Sequence, residues 1–182
     1  MRDLFRSIDW HTTRTLPNAF GCNSLPSIAA MIGQRDHNAP SLLINSDVLL
    51  AQQPKQPEPN TFQVGIVSDH DPGSTQLTLR NYGIDAFWLL PDVTLPDAGF
   101  VIGKPAWDYW LVHAMHTQGY PISPDKSPIY LHERHERSWT ENDYATGSSL
   151  LTQATGLEKR QATEFILHMT SRTRNENTAG NY

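Results

Sequence analysis

Apolar positions along the chain come in short bursts, and the spacing within each burst separates helices from strands. Ile28, Ala29, Met31 and Ile32 recur at helical spacing after Pro26. Asn23 or Ser24 is the expected cap of this helix, Pro26 suits its first turn, and Gly33 is its expected stop. Residues 41–50, SLLINSDVLL, differ. Leu42-Leu43-Ile44 reads as a buried strand, Asn45-Ser46-Asp47 interrupts it, and Val48-Leu49-Leu50 resumes it. Pro54, Pro57 and Pro59 make the following stretch an exposed loop. Residues 61–67 (TFQVGIV) predict another strand, 68–74 a polar loop, and 86–90 (AFWLL) a further strand.

The clearest helix spans 105–118. Pro105 stands at its expected start, Trp107, Trp110, Leu111 and Ala114 share one face, and Gly119 followed by Pro121 ends it. Residues 127–132 (SPIYLH) predict a short strand, and 140–154 and 157–171 predict two last helices, the second with Phe165, Ile166 and Met169 on its apolar side. Residues 1–20 carry no clear period, and the polar residues 172–182 are expected to form a flexible tail. Strands alternating with helices predict one α/β domain over 1–171, with a mixed central sheet flanked by helices.

Composition narrows the class. A chain of 182 residues, 38% hydrophobic and 18% charged, reads as globular and is long enough to bury a core. The formal net charge of −5 argues against a protein that coats nucleic acid. Cys22 is the only cysteine, so neither an intrachain disulfide nor a cysteine-rich metal knuckle can form. No apolar run approaches the roughly 20 residues that span a bilayer, and the first residues lack a secretion signal's apolar core. The expectation is a cytoplasmic protein without a membrane partner.

Three clusters carry the chemistry. Asn45-Ser46-Asp47 puts a carboxylate at a strand end, where it can ligate a hard cation; the same residues also make an ordinary Asx turn. Asp108 lies in the first turn of the 105–118 helix, where the dipole favours its ionised form, and can act as a base toward a hydroxyl. Trp107, Tyr109 and Trp110 beside it offer faces for a sugar or a base, or simply belong to the core. In the run His132-Glu133-Arg134-His135-Glu136-Arg137, either histidine can bind a metal through its neutral imidazole and the arginines can meet a phosphate; as a charged run it also suits a solvated loop.

In order and spacing, these clusters resemble the later part of GT-A-type, nucleotide-sugar-dependent glycosyltransferases. The resemblance covers roughly residues 18–145. Asn45-Ser46-Asp47 matches their strand-ending D-x-D or N-x-D element, with Asn at the first position, which removes a charge. The stretch from Gly103 through Asp108 to Leu111, ending at Gly119-Tyr120-Pro121-Ile122, matches their acidic helix start and glycine turn. His132 or His135 matches their late histidine, and the segments 18–26 and 83–88 resemble connecting pieces. The family's opening, nucleoside-cradling strands have no counterpart, so residues 1–17 are expected to replace them or nucleoside binding to be reduced.

The resemblance implies a GT-A-like fold and transfer of a sugar from a nucleotide-sugar donor, a UDP-sugar foremost, to a hydroxyl of an unidentified acceptor. It implies Mn²⁺ or Mg²⁺ held by Asp47 with Asn45 and a histidine, His132 or His135, and Asp108 as the catalytic base. Asn45, Lys104, Trp107, Trp110 and Arg134 are expected on the substrate side. A metal-dependent phosphoester or nucleotide hydrolase would use the same carboxylate and histidines to activate water; a non-catalytic binding or inhibitory module on a reduced scaffold would keep its function without Asp47 or Asp108. A chain without opening strands is also expected to pair with a second copy along an exposed sheet edge.

Overall fold

The computed structural model describes Phe20 and residues 26–45, 47–71, 76–136 and 138–171, with the side chains of 79–82 left aside. The proposed caps Asn23 and Ser24, Cys22, Ser46, Arg137 and the tail 172–182 lie outside the described residues. The elements are α1 (Ile28–Gln34), β1 (Ser41–Ile44), β2 (Val48–Leu50), β3 (Phe62–His70), β4 (Leu77–Leu89), α2 (Trp107–Thr117), β5 (Ile122–Asp125), β6 (Tyr130–Glu133), α3 (Glu141–Thr155) and α4 (Lys159–Ser171).

The six strands form one mixed sheet, five of them in the order β1-β4-β3-β6-β2 and β5 paired to β3 off this path. β3 is its axis: it runs antiparallel to β4, and on its other side parallel to β5 along its first half and to β6 along its second. β1 adds to β4 and β2 adds to β6, both antiparallel. This order forces the sheet to curl. In a flat sheet β1 and β2 would stand four strand spacings apart, about 19 Å, yet Ile44 and Val48 are joined by a chain that reaches at most about 14 Å. The outer strands therefore turn toward each other, and residues 45–47 bridge them. Irregular pairing between β3 and β4 at Gly65, Ile66 and Ser68 supplies the bend.

Each face has its own core. The larger joins Phe62, Val64, Ile66 and Phe87 to residues of all four helices, among them Ile28, Trp107, Trp110, Leu111, Met115, Leu151 and Ile166. The smaller, Val48, Val67, Ala86, Ile129 and Tyr130, fills the inside of the curl. Close packing there depends on Gly65, since a Cβ at this position would stand 2.8 Å from the Tyr130 ring.

Several elements differ from the sequence expectation. The cap of α1 is Ser27, whose hydroxyl accepts from the Ala30 N–H at 3.1 Å; Gly33 lies inside the helix and Arg35 ends it. Arg35 then ties this corner down by donating to the carbonyls of Ile32, Leu90, Pro91 and Val93. β3 continues to His70, through residues expected to form a loop, and β4 begins at Leu77. β5 was not anticipated, because Ser123-Pro124-Asp125 lacks strand-like residues. Helix α2 begins at Trp107, not Pro105. Its N-cap is Ala106 in the left-handed region (φ 78°), where a side chain is disfavoured. The backbone there is pressed by α3: a Cβ on Gly147 would meet the Pro105 carbonyl oxygen at 2.4 Å. No described helix is long and apolar enough to cross a membrane.

Candidate metal centre and acidic cluster

The curl gathers residues distant in sequence. Asp47 opens β2 from the bridge, His132 lies on β6 paired with Val48, and His135 follows β6. One ligand atom from each of Asp47, His132 and His135 lies within 4.8 Å of the others, and no further group of this kind exists among the described residues. His135 Nε2 stands 3.0 Å and His132 Nε2 3.6 Å from Asp47 Oδ2.

The far side of each imidazole is held. His132 Nδ1 lies 2.9 Å from Oδ1 of Asp69 on β3, a carboxylate only 4% exposed. His135 Nδ1 donates to the Glu136 carbonyl at 2.6 Å. With Nδ1 protonated by these contacts, each neutral ring presents its Nε2 lone pair toward Asp47, the tautomer a metal ligand needs. Among the described residues Asp47 Oδ1 is buried and has no hydrogen-bond partner, an arrangement that costs free energy unless a ligand fills it. Two imidazoles and one carboxylate fit Mn²⁺, Zn²⁺ or Fe²⁺ better than Mg²⁺, which prefers oxygen donors. His135 is exposed, so one side of the centre is open.

The protonation pattern of the metal-free centre follows from these contacts. Hydrogen bonding to His132 first, and to His135 as well, holds the Asp47 carboxyl down at about 2 despite partial burial. Asp47, followed by Asp69, raises His132 above its ordinary 6.5. The Glu136 carbonyl and then Asp47 raise His135.

A carboxyl group links this centre to α2. Asn45 Nδ2 donates to Asp85 Oδ1 at 2.6 Å, and the Asn45 N–H donates to the Asp85 carbonyl at 3.1 Å. Burial raises the Asp85 carboxyl to about 7; the charges of Asp108 and Asp47 add to this and that of His132 opposes it. The charges of Asp47, Asp108 and His132 thus all bear on the Asp85 carboxyl. Burial also raises Asp108, with Lys159 acting against it. Among the described residues Asn45 Oδ1, like Asp47 Oδ1, is buried without a partner.

Other expected site residues are engaged elsewhere. Trp107 and Trp110 are 2% and 3% exposed; Trp107 meets the Phe87 ring edge-on at 5.1 Å and Trp110 stacks on Phe100 at 5.1 Å, so both indoles belong to the core. Lys104 Nζ is bound to Asp143 Oδ2 at 2.9 Å. That carboxylate also closes the Thr140–Asp143 capping box of α3. Trp139 stacks on Tyr144, a hydrophobic staple across the same helix start. Together they fix the path of the segment from His135 into α3. Arg134 lies half-exposed between Asp69 and Asp71, 3.4 Å from each.

Sequence reasoning missed Asp69, Asp85 and Lys159. Asp69 was read as part of a loop and Asp85 as part of a connecting piece. The available signal was a lone carboxylate at the edge of each apolar run, Ile66-Val67-Ser68-Asp69 and Asp85-Ala86-Phe87-Trp88. No protein-family model, curated protein or solved structure matches this chain.

Proposed function

We propose that the chain is a divalent-metal-dependent glycosyltransferase-like enzyme that moves a sugar from a nucleotide-sugar donor to an acceptor hydroxyl. The observation that carries this reading is the meeting of Asp47, His132 and His135 at one point, with Asp69 fixing His132 and a buried Asp47 oxygen lacking a partner among the described residues. Asp47, His132 and His135 would hold the metal, and Mn²⁺ fits their donor set better than Mg²⁺. When bound, the metal supplies positive charge for a diphosphate leaving group. Asn45 presents its side-chain oxygen beside Asp47. Asp108 accepts the proton of the acceptor hydroxyl. Arg134, half-exposed beside Asp69 and Asp71, would meet a phosphate of the donor. Trp107 and Trp110 support Asp108 from the core rather than touching substrate.

Calorimetric titration with Mn²⁺ and then with UDP-sugars tests the reading. Binding of Mn²⁺ by the wild type, its loss in Asp47→Ala and His132→Ala, and donor binding only with metal are the expected results. A folded sample that binds Mn²⁺ and no nucleotide sugar overturns the transferase assignment. The same donor set also activates water. Release of phosphate or nucleoside monophosphate without sugar transfer would therefore identify the hydrolase alternative.

A further inference from the structure

Asp85 has no ordinary place in the sheet. The pairing of β3 with β4 steps from Gly65 opposite Ala86 to Ile66 opposite Ile84, so Asp85 falls at the irregularity with no register partner on β3. Such a bulge re-aims a side chain and recurs beside functional sites. On the other side of β4, the ladder to β1 ends at Ile44, opposite Ala86. Asn45 lies one residue beyond that ladder, and Asp85 holds it at two points. The Asp85 carbonyl accepts from the Asn45 N–H at 3.1 Å, and Asp85 Oδ1 accepts from Asn45 Nδ2 at 2.6 Å. The Asn45 carbonyl in turn accepts from the Val48 N–H at 3.1 Å, and Val48 pairs with His132. Asp47 therefore sits between two fixed residues, Asn45 tied to β4 and Val48 tied to β6.

Both anchors bear on the candidate metal centre, because Asp47 meets both histidines through a single oxygen, Oδ2, at 3.0 and 3.6 Å. The Val48 anchor comes with the β2–β6 pairing that also carries His132. The Asn45 anchor does not: past the end of the β1 ladder, it depends on Asp85. The side-chain bond also sets which way the Asn45 amide faces. With Nδ2 on Asp85, Oδ1 turns away from that carboxyl, and among the described residues it is buried without a partner. We propose that Asp85 is a positioning residue for the metal centre: by clamping Asn45, it sets where Asp47 stands relative to His132 and His135. The inference rests on the reading of those three residues as metal ligands, and not on sugar transfer.

Calorimetric titration with Mn²⁺ tests this without turnover. Asp85→Ala is expected to lower Mn²⁺ affinity about 10- to 100-fold against the wild type. Asp85→Asn, which keeps an acceptor oxygen for Asn45 Nδ2, should stay near the wild-type value. Asp85→Leu, which removes the acceptor but fills its space, should repeat the loss and serves where Asp85→Ala does not fold. Combining Asp85→Ala with Asn45→Ala should cost no more than the larger single change, since both remove the same bond. Co²⁺ gives a readout that general destabilisation does not move, because its visible absorption reports coordination geometry. The spectrum of the Co²⁺-loaded protein should change in Asp85→Leu and match the wild type in Asp85→Asn. Wild-type affinity in folded Asp85→Leu overturns the proposal, as does an equal loss in Asp85→Asn or full additivity in the double variant. A wild type that binds no Mn²⁺ defeats the metal reading and this inference together. Mn²⁺ binding without nucleotide-sugar binding defeats the transferase assignment alone.

Discussion

At the scale of single residues, the metal-free centre is an ion-pair system whose signs are fixed. Asp47 is depressed from 3.8 to about 2, so its contribution to stability is present above about 3.8 and is lost as pH falls through its folded value. His132 is raised above 6.5, so its contribution is complete below 6.5 and is lost as pH rises through its folded value. Both hold between roughly pH 4 and 6.5. Urea unfolding of metal-free protein should therefore show a stability advantage over His132→Gln in that window, shrinking on either side. A difference that is flat with pH would contradict the pairing. Metal binding has the opposite dependence: the ligating imidazoles must be neutral, so affinity should rise with pH through the His132 midpoint, with proton release. Asp69 works at the same scale. Replacing it by Asn should let the His132 ring turn and lower Mn²⁺ affinity about 10- to 100-fold by calorimetry.

At the scale of elements, the placement of Asp108 depends on how α3 meets the start of α2. Gly147 allows that contact, because a Cβ there would strike backbone, the Pro105 carbonyl, at 2.4 Å. Gly147→Ala should cost about 1–3 kcal/mol in urea unfolding. Gly33→Ala, in a helix where a Cβ meets nothing within 4 Å, should gain up to about 1 kcal/mol. Similar changes at both glycines would count against the packing argument. Elements governed by one face were legible in the sequence: α2, α3 and α4 lie within a few residues of expectation because their apolar spacing and stop signals are local. The extra length of β3 and β4 was not. Asp69 is polar yet buried, since its partners His132 and Arg134 come from β6 and the residue following it. No local pattern announces a carboxylate whose partner lies more than sixty residues away.

At the scale of the whole molecule, the candidate centre is a product of the curl. The residue types that make it were readable: a polar break within an apolar strand, and a histidine pair after another. Their convergence was not, because it depends on outer strands that turn toward each other only when the sheet bends at Gly65, Ile66 and Ser68. This makes the centre a reporter of the closed fold. A ligand that binds only the native state stabilises it by about 2.7 kcal/mol at a hundredfold excess over its Kd. For a chain of this size that corresponds to roughly 5–11 °C in Tm. Saturating Mn²⁺ should produce a rise of that order in the wild type and none in Asp47→Ala or His132→Ala. Asp108→Asn, which leaves all three ligands in place, should keep it. Hydrogen exchange should slow at 47–50 and 130–136 together, since metal binding ties β2 to β6 and the segment after it. Slowing at only one of these segments, or an equal thermal shift in Asp47→Ala, would mean that the ion binds elsewhere and that the curl brings the ligands near without making them a site.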